Sequence, residues 1–108
     1  MEIPYLPLAD LLAEYRRRDP DKLALVDVDR GRSIGFGALD RAVTDIAAAL
    51  KERGVQKGSR VLLLSVESFE KLLLWLGVWR IGAVVVPLDI ELNAAFVADL
   101  VTAAQPVL

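Results

Sequence analysis

Two short apolar segments on either side of a helix-length stretch limit the folds open to this chain more than any other feature. In Arg60–Ser65 and Ala83–Val86, apolar residues follow one another without polar alternation. Strands of this kind are typical of a parallel sheet covered on both faces. Parallel strands need a crossover connection, which is usually a helix. The sequence therefore predicts an α/β fold with a mostly parallel sheet.

Helical periodicity and turn residues divide the rest of the chain into elements. We predict first a helix over Pro7–Arg18, a hairpin of strands over Leu23–Val28 and Ser33–Phe36, and a helix over about Gly37–Arg53. These are followed by a strand over Arg60–Ser65, a helix from Glu67-Ser68 to about Ile81, and a strand over Ala83–Val86 closed by Pro87. The chain then continues with a loop over Leu88–Leu92, a helix from an Asn93 N-cap to Gln105, and the opening of a buried strand at Pro106–Leu108. Without repeats or linkers, residues 1–108 are predicted to form one α/β unit.

The helix over about Gly37–Arg53 carries an apolar stripe and a flank of small residues. The stripe consists of Leu39, Val43, Ile46 and Leu50, and Asp40 is among the polar residues placed away from it. The flank Ala47-Ala48-Ala49 is thin enough for a close approach to a sheet. Gly54 is predicted to end this helix in the usual C′ position.

The segment Leu72–Leu88 has 17 residues with one charge, Arg80, which raises the question of a membrane span. A spanning helix needs about 20 apolar residues. Gly77, Gly82 and Pro87 interrupt this segment, and Arg80 lies near its middle. We therefore predict a buried helix that is apolar on all sides, then a glycine turn and a buried strand, with no membrane span.

Composition excludes several classes of activity. The chain has no Cys and no His, which excludes disulfides, thiolate nucleophiles, Cys/His zinc sites and imidazole-based triads. A net charge of −2 gives no basic footprint for nucleic acid. The N-terminus lacks the basic and apolar regions of a secretory signal, so a cytoplasmic protein is expected.

Phosphate-binding motifs are absent or incomplete. No Walker-type loop is present, and in Gly35-Phe36-Gly37 the third glycine of a dinucleotide fingerprint is replaced by Asp40. We interpret these glycines as turn and helix-entry residues. The Arg16-Arg17-Arg18 triplet could contact phosphate, but a solvated helix end is the favoured interpretation.

Two further groups of residues could form functional sites. Asp27, Asp29 and Asp89 could supply the acids of a phosphoacceptor receiver, but no lysine follows Lys71, so surface acids at strand ends are favoured. Trp75 and Trp79, four residues apart on a helix, could form an aromatic ligand platform. Core packing is the favoured interpretation of this pair.

A longer stretch resembles a known family. It runs from Leu39-Asp40-Arg41-Ala42 through Gly54-Val55-Gln56-Lys57-Gly58-Ser59-Arg60-Val61 to Trp79-Arg80-Ile81-Gly82-Ala83-Val84-Val85-Val86-Pro87-Leu88-Asp89. This pattern resembles the start of the adenylate-forming superfamily, which includes acyl- and aryl-CoA ligases, peptide-synthetase adenylation domains and firefly-type luciferases. The resemblance covers about residues 8–108.

The resemblance implies a fold and a reaction class. The fold would be a three-layer αβα arrangement with a mostly parallel sheet, the leading part of a larger N-terminal domain. In such enzymes a carboxylate attacks ATP to give an acyl-adenylate, and a thiol such as coenzyme A then takes the acyl group. ATP, Mg²⁺ and coenzyme A are expected for the full-length parent. The family's phosphate loop, adenine-binding segment, ribose-binding acid and lysine lie further along, so no catalytic, cofactor-binding or metal-binding residue is assigned in this chain.

The leading hypothesis is an N-terminal segment of a CoA ligase that is inactive alone. Its expected partners are the remainder of the parent ligase domain and, in the full-length enzyme only, a carboxylic acid. Apolar types make up 55% of the residues, more than a chain of this size comfortably buries, which favours a missing partner surface and self-association of the isolated segment. Departures such as Ser59, where an Asp is usual, leave open an adenylation domain that loads a carrier protein. A self-contained small α/β binding or interaction module is a separate alternative.

Overall fold

The computed structural model describes residues 8–65, 68–88, 91 and 93–108, with side chains described from residue 10 onward. The elements are α1 (Leu8–Arg18), β1 (Leu23–Asp27), β2 (Arg32–Gly35), α2 (Phe36–Glu52), β3 (Arg60–Leu64), α3 (Phe69–Ile81), β4 (Val84–Leu88) and α4 (Ala94–Ala104). This order confirms the α/β class and each predicted helix and strand except the last strand. The predictions for Pro7, Glu67, Asp89, Ile90 and Leu92 lie outside the described residues.

The strands form two separate pairs. β1 and β2 are an antiparallel hairpin, whereas β3 and β4 are parallel, with Arg60 opposite Val84 and Leu64 opposite Leu88. Each pair is a two-stranded sheet within the described residues. The parallel part of the structure is therefore smaller than the predicted mostly parallel sheet.

The predicted terminal strand is present only as backbone pairing. The Val107 amide donates to the Arg60 carbonyl and the Leu62 amide donates to the Leu108 carbonyl, each at 2.8 Å. Both partners advance in the same direction, so this segment runs parallel to β3 on the side away from β4. The prediction of a buried strand here is wrong, because Val107 and Leu108 remain 51% and 43% exposed.

Helices α2 and α3 cover one face of the β3–β4 pair. The core consists of Leu50, Val55, Val61, Leu63, Val78 and Ala83, with Ile46, Trp75, Ile81 and Val85 packed against it. Alternate residues of β3 point into this core, since Val61 and Leu63 are buried. The face of the sheet that carries Val61 and Leu63, here called the first face, is therefore the well-packed one.

A glycine sets the distance between α2 and α3. A Cβ atom added at Gly77 would lie 2.5 Å from Ile46 Cγ2 and 3.6 Å from the Ala47 backbone nitrogen. Ala47 is buried, while Ala48 and Ala49 are exposed. The small flank of α2 thus permits a close approach to a helix, and the prediction that it approaches a sheet is wrong at this point.

The connection from α2 to β3 begins with a Schellman motif. The Gly54 amide donates to the Lys51 carbonyl at 3.0 Å and the Val55 amide donates to the Leu50 carbonyl at 3.1 Å. Gly54 has φ +93°, which confirms its predicted C′ position. Because Leu50 and Val55 both belong to the core, this turn keeps the chain against the core between α2 and β3.

The second face of the sheet is less well covered than predicted. Leu64 and Val84 are 45% and 48% exposed, so the expectation that the strands are covered on both faces is wrong for the described chain. The expectation of a buried α3 is wrong as well, since Leu72, Leu74 and Trp79 are about 40% exposed. Arg60 lies on this second face and donates to the Ala104 carbonyl at 2.6 Å, which holds the end of α4 near β3.

Pro87 lies inside β4, opposite Leu63, rather than at its end. Among the described residues β4 pairs only with β3, so it is an edge strand. Proline is tolerated on an edge strand because its missing amide would face away from the ladder. Within residues 8–65, 68–88 and 93–108, no helix combines the length and the apolarity needed to cross a bilayer.

Candidate functional site

A buried carboxylate joins the first three helices. Asp40 on α2 is only 5% exposed and accepts hydrogen bonds from Arg80 of α3 at 2.7 Å and from Arg16 of α1 at 3.1 Å. Arg80 also donates to the Thr44 hydroxyl at 2.8 Å, and that hydroxyl donates to the Asp40 carbonyl. The sequence placed Asp40 away from the apolar stripe of α2 but gave no sign of its burial, which arises because α1 and α3 cover this side of the helix with matching cations.

The electrostatics of this cluster are those of a structural ion pair. Burial alone would raise the pKa of the Asp40 carboxyl, but the hydrogen bonds and charges of Arg80 and Arg16 outweigh it and hold that pKa below its ordinary value. A carboxylate held ionised by two arginines is poorly suited to accept a proton in a reaction. The remaining arginines of the triplet, Arg17 and Arg18, bind Glu14 at the end of α1.

The glycines at the start of α2 pack against the backbone of the preceding turn. The Phe36 amide donates to the Lys22 carbonyl and the Gly37 amide donates to the Pro20 carbonyl, each at 2.9 Å. A Cβ atom at Gly35 would lie 3.1 Å from the Pro20 carbonyl oxygen. This geometry supports their interpretation as turn and helix-entry residues, since two amides that a phosphate would need are occupied.

The hairpin is tied to the start of α3 by one arginine. Arg32 of β2 donates to Asp27 of β1 at 3.1 Å and to Glu70 of α3, and its guanidinium carbon lies 5.0 Å from the Phe69 ring centroid. The hydrogen bonds from Arg32 lower the pKa of the Glu70 carboxyl. The Arg30 amide, followed by Arg32, lowers the pKa of Asp27. Both acids are therefore ionised partners of Arg32 at neutral pH.

The candidate receiver acids Asp27 and Asp29 are a paired group and an exposed group of the hairpin. Asp27 pairs with Arg32 and Asp29 is exposed on the hairpin turn, which belongs to a different sheet from β3 and β4. Asp89 lies outside the described residues. No three His, Cys, Asp or Glu side chains are grouped as metal ligands in the part of the chain that the structure describes.

The tryptophan pair is divided between core and surface. Trp75 packs against the core, whereas Trp79 is 39% exposed, and their rings meet edge to face with centroids 5.6 Å apart. Core packing is thus supported for Trp75. The sequence reasoning missed Lys71, which is 5% exposed and donates to the Ser65 carbonyl at 3.3 Å. A lysine directly before the apolar run Leu72–Leu76 is the signal that could have identified it.

The ion pairs, backbone hydrogen bonds and ring contacts described above stabilise the fold. Comparison with known proteins shows which family has this sequence. The sequence profile of a family described as AMP-binding enzyme matches residues 12–108. The chain belongs to this family.

Sequence similarity to individual proteins supports this family assignment. The hybrid PKS-NRPS synthetase traA of Penicillium crustosum is 35% identical over 94 residues, which is 87% of this chain and 2% of that protein. The medium-chain fatty-acid–CoA ligase of Escherichia coli is 36% identical over 81 residues, which is 75% of this chain and 14% of the ligase. The chain thus spans a small part of the length of these relatives.

The fold of the chain is similar to that of an N-terminal subdomain. The N-terminal subdomain of NpsA from Klebsiella oxytoca superposes with a TM-score of 0.84 and 26% identity, over 94% of this chain and 26% of that one. The described fold is therefore that of the N-terminal part of an adenylate-forming enzyme. In this context Gly54, Gly58 and Gly82, which all have positive φ, shape the turns at the start of β3 and β4.

Proposed function

We propose that this chain is the leading segment of an ATP-dependent acyl- or aryl-CoA ligase that activates a carboxylate as an acyl-adenylate. The family match over residues 12–108 carries the proposal, and the similarity to a fatty-acid–CoA ligase supports the ligase branch. ATP, Mg²⁺ and coenzyme A would then serve the full-length enzyme, with a carboxylic acid as substrate.

The isolated chain is proposed to be inactive. The acids Asp27, Asp40 and Glu70 are each bound by an arginine, and the described residues contain no group of three His, Cys, Asp or Glu side chains that could hold a metal ion. No reaction step is therefore assigned to residues of this chain. Their proposed role is to build one side of the larger domain.

An adenylation domain that loads a carrier protein is the second candidate. The 35% identity to a hybrid PKS-NRPS synthetase over 87% of this chain favours it. Both candidates share the adenylation step, and they differ in the thiol that receives the acyl group. A self-contained α/β interaction module is the third candidate, and it predicts a stop codon directly after Leu108.

The coding sequence downstream of Leu108 separates the three. A reading frame that continues into a Ser/Thr/Gly-rich loop and ends as a lone ligase supports the proposal, and a following carrier domain supports the second candidate. The activity claim is tested with the purified 108-residue chain in ATP–pyrophosphate exchange and acyl-CoA formation assays with a panel of carboxylic acids. Turnover by this chain alone would contradict the proposed inactivity.

A further inference from the structure

We draw no further inference here: the strongest candidate, the mainly apolar groove of 280 Å³ between the carboxyl-terminal half of α2, Leu74 of α3 and Leu108, is an unpartnered surface, and nothing in the described part of the chain shows what covers it.

Discussion

At the scale of single residues, Asp40 is the group on which the helical layer depends most. Its carboxylate is the common partner of Arg16 and Arg80, so one side chain joins α1, α2 and α3. Removing one member of a buried charge cluster leaves the others without a partner, which is more costly than losing a surface pair.

D40N is expected to lower the free energy of unfolding by about 2–3 kcal/mol, because a neutral amide cannot compensate two guanidinium groups. Asp45 lies exposed on the same helix, and D45N is the matched control, with a change within about 0.5 kcal/mol. Urea unfolding of the three proteins at pH 7 measures both differences. Equal losses in D40N and D45N would contradict the structural role of Asp40.

The same residue gives a pH dependence with a defined sign. The pKa of Asp40 is lower in the folded chain than its ordinary value, so its stabilisation is present above about pH 4 and is lost as the pH falls through the folded value. The stability difference between the wild type and D40N is therefore expected to shrink below about pH 4. Urea unfolding from pH 7 to pH 2.5 measures it, and a constant difference over that range would contradict the assignment.

Gly77 lies at the close contact between α3 and α2. Alanine favours helices over glycine by about 1 kcal/mol, but its Cβ atom would lie 2.5 Å from Ile46 Cγ2. Overpacking of a core costs about 1–3 kcal/mol, so G77A is expected to be destabilising overall. In an I46A background, which removes that methyl group, G77A should be neutral or stabilising. A double-mutant cycle measured by urea unfolding checks this, and additive effects would show that the two side chains do not interact.

At the scale of elements, α3 and α4 have similar N-caps but different support. The Ser68 hydroxyl accepts from the Lys71 amide at 3.1 Å, and the Asn93 side chain accepts from the Phe96 amide at 2.8 Å. α3 contributes Val78 to the core, whereas no described residue of α4 is buried. The two helices should therefore respond differently to the loss of a cap.

S68A is expected to lower global stability by about 1 kcal/mol, because α3 unfolds with the core. N93A should leave the global unfolding transition almost unchanged and increase hydrogen exchange only in residues 94–104, because local opening of α4 disrupts little packing. Hydrogen exchange of both variants against the wild type separates the two effects. A global loss in N93A equal to that in S68A would contradict the marginal packing of α4.

The sequence predicted elements more reliably than burial. Periodicity and turn residues located α2 and the Gly54 cap, because both depend on local physics within a few residues. The exposure of α3 and the burial of Asp40 depend on which neighbours are present, and a single chain's pattern does not contain that information. Gly77 was missed for the same reason, since its role is defined by Ile46 on another helix.

The candidate sites follow the same division. The sequence correctly interpreted Gly35 and Gly37 as entry residues, because their role is set by the local turn at Pro20. The sequence did not reveal the bond between Arg32 and Glu70, because these residues are 38 positions apart along the chain. Only the folded arrangement brings Arg32 of β2 to Phe69 and Glu70 of α3.

At the scale of the whole molecule, apolar surface remains open on several elements. Leu64, Val84, Phe96 and Val107 are each 45–51% exposed. Large exposed apolar patches mark interaction surfaces or lead to association. The relatives are several-fold longer, which agrees with a proposed partner surface in the remainder of the ligase domain.

The isolated chain is expected to bind a hydrophobic dye and to self-associate at micromolar concentration, because water-exposed apolar surface is removed by association. Sedimentation velocity over a concentration series measures it. The double variant V84T/F96S should shift the distribution toward monomer, whereas A48S, at an exposed alanine of α2, should not. A monomer without dye binding would favour the self-contained module.

The bond between the turns before β3 and β4 has a consequence for the order of folding. The Gly58 amide donates to the Gly82 carbonyl at 3.0 Å and the Val84 amide donates to the Ser59 carbonyl at 2.7 Å. Closing this loop of about two dozen residues carries the main entropy cost of the βαβ unit, and each further pair of the register has the same separation along the chain, so pairing continues without closing a longer loop. Because these two bonds join the strands at their amino ends, pairing of β3 with β4 is expected to begin there. The carboxyl ends of the two strands are then the last to order and the first to open.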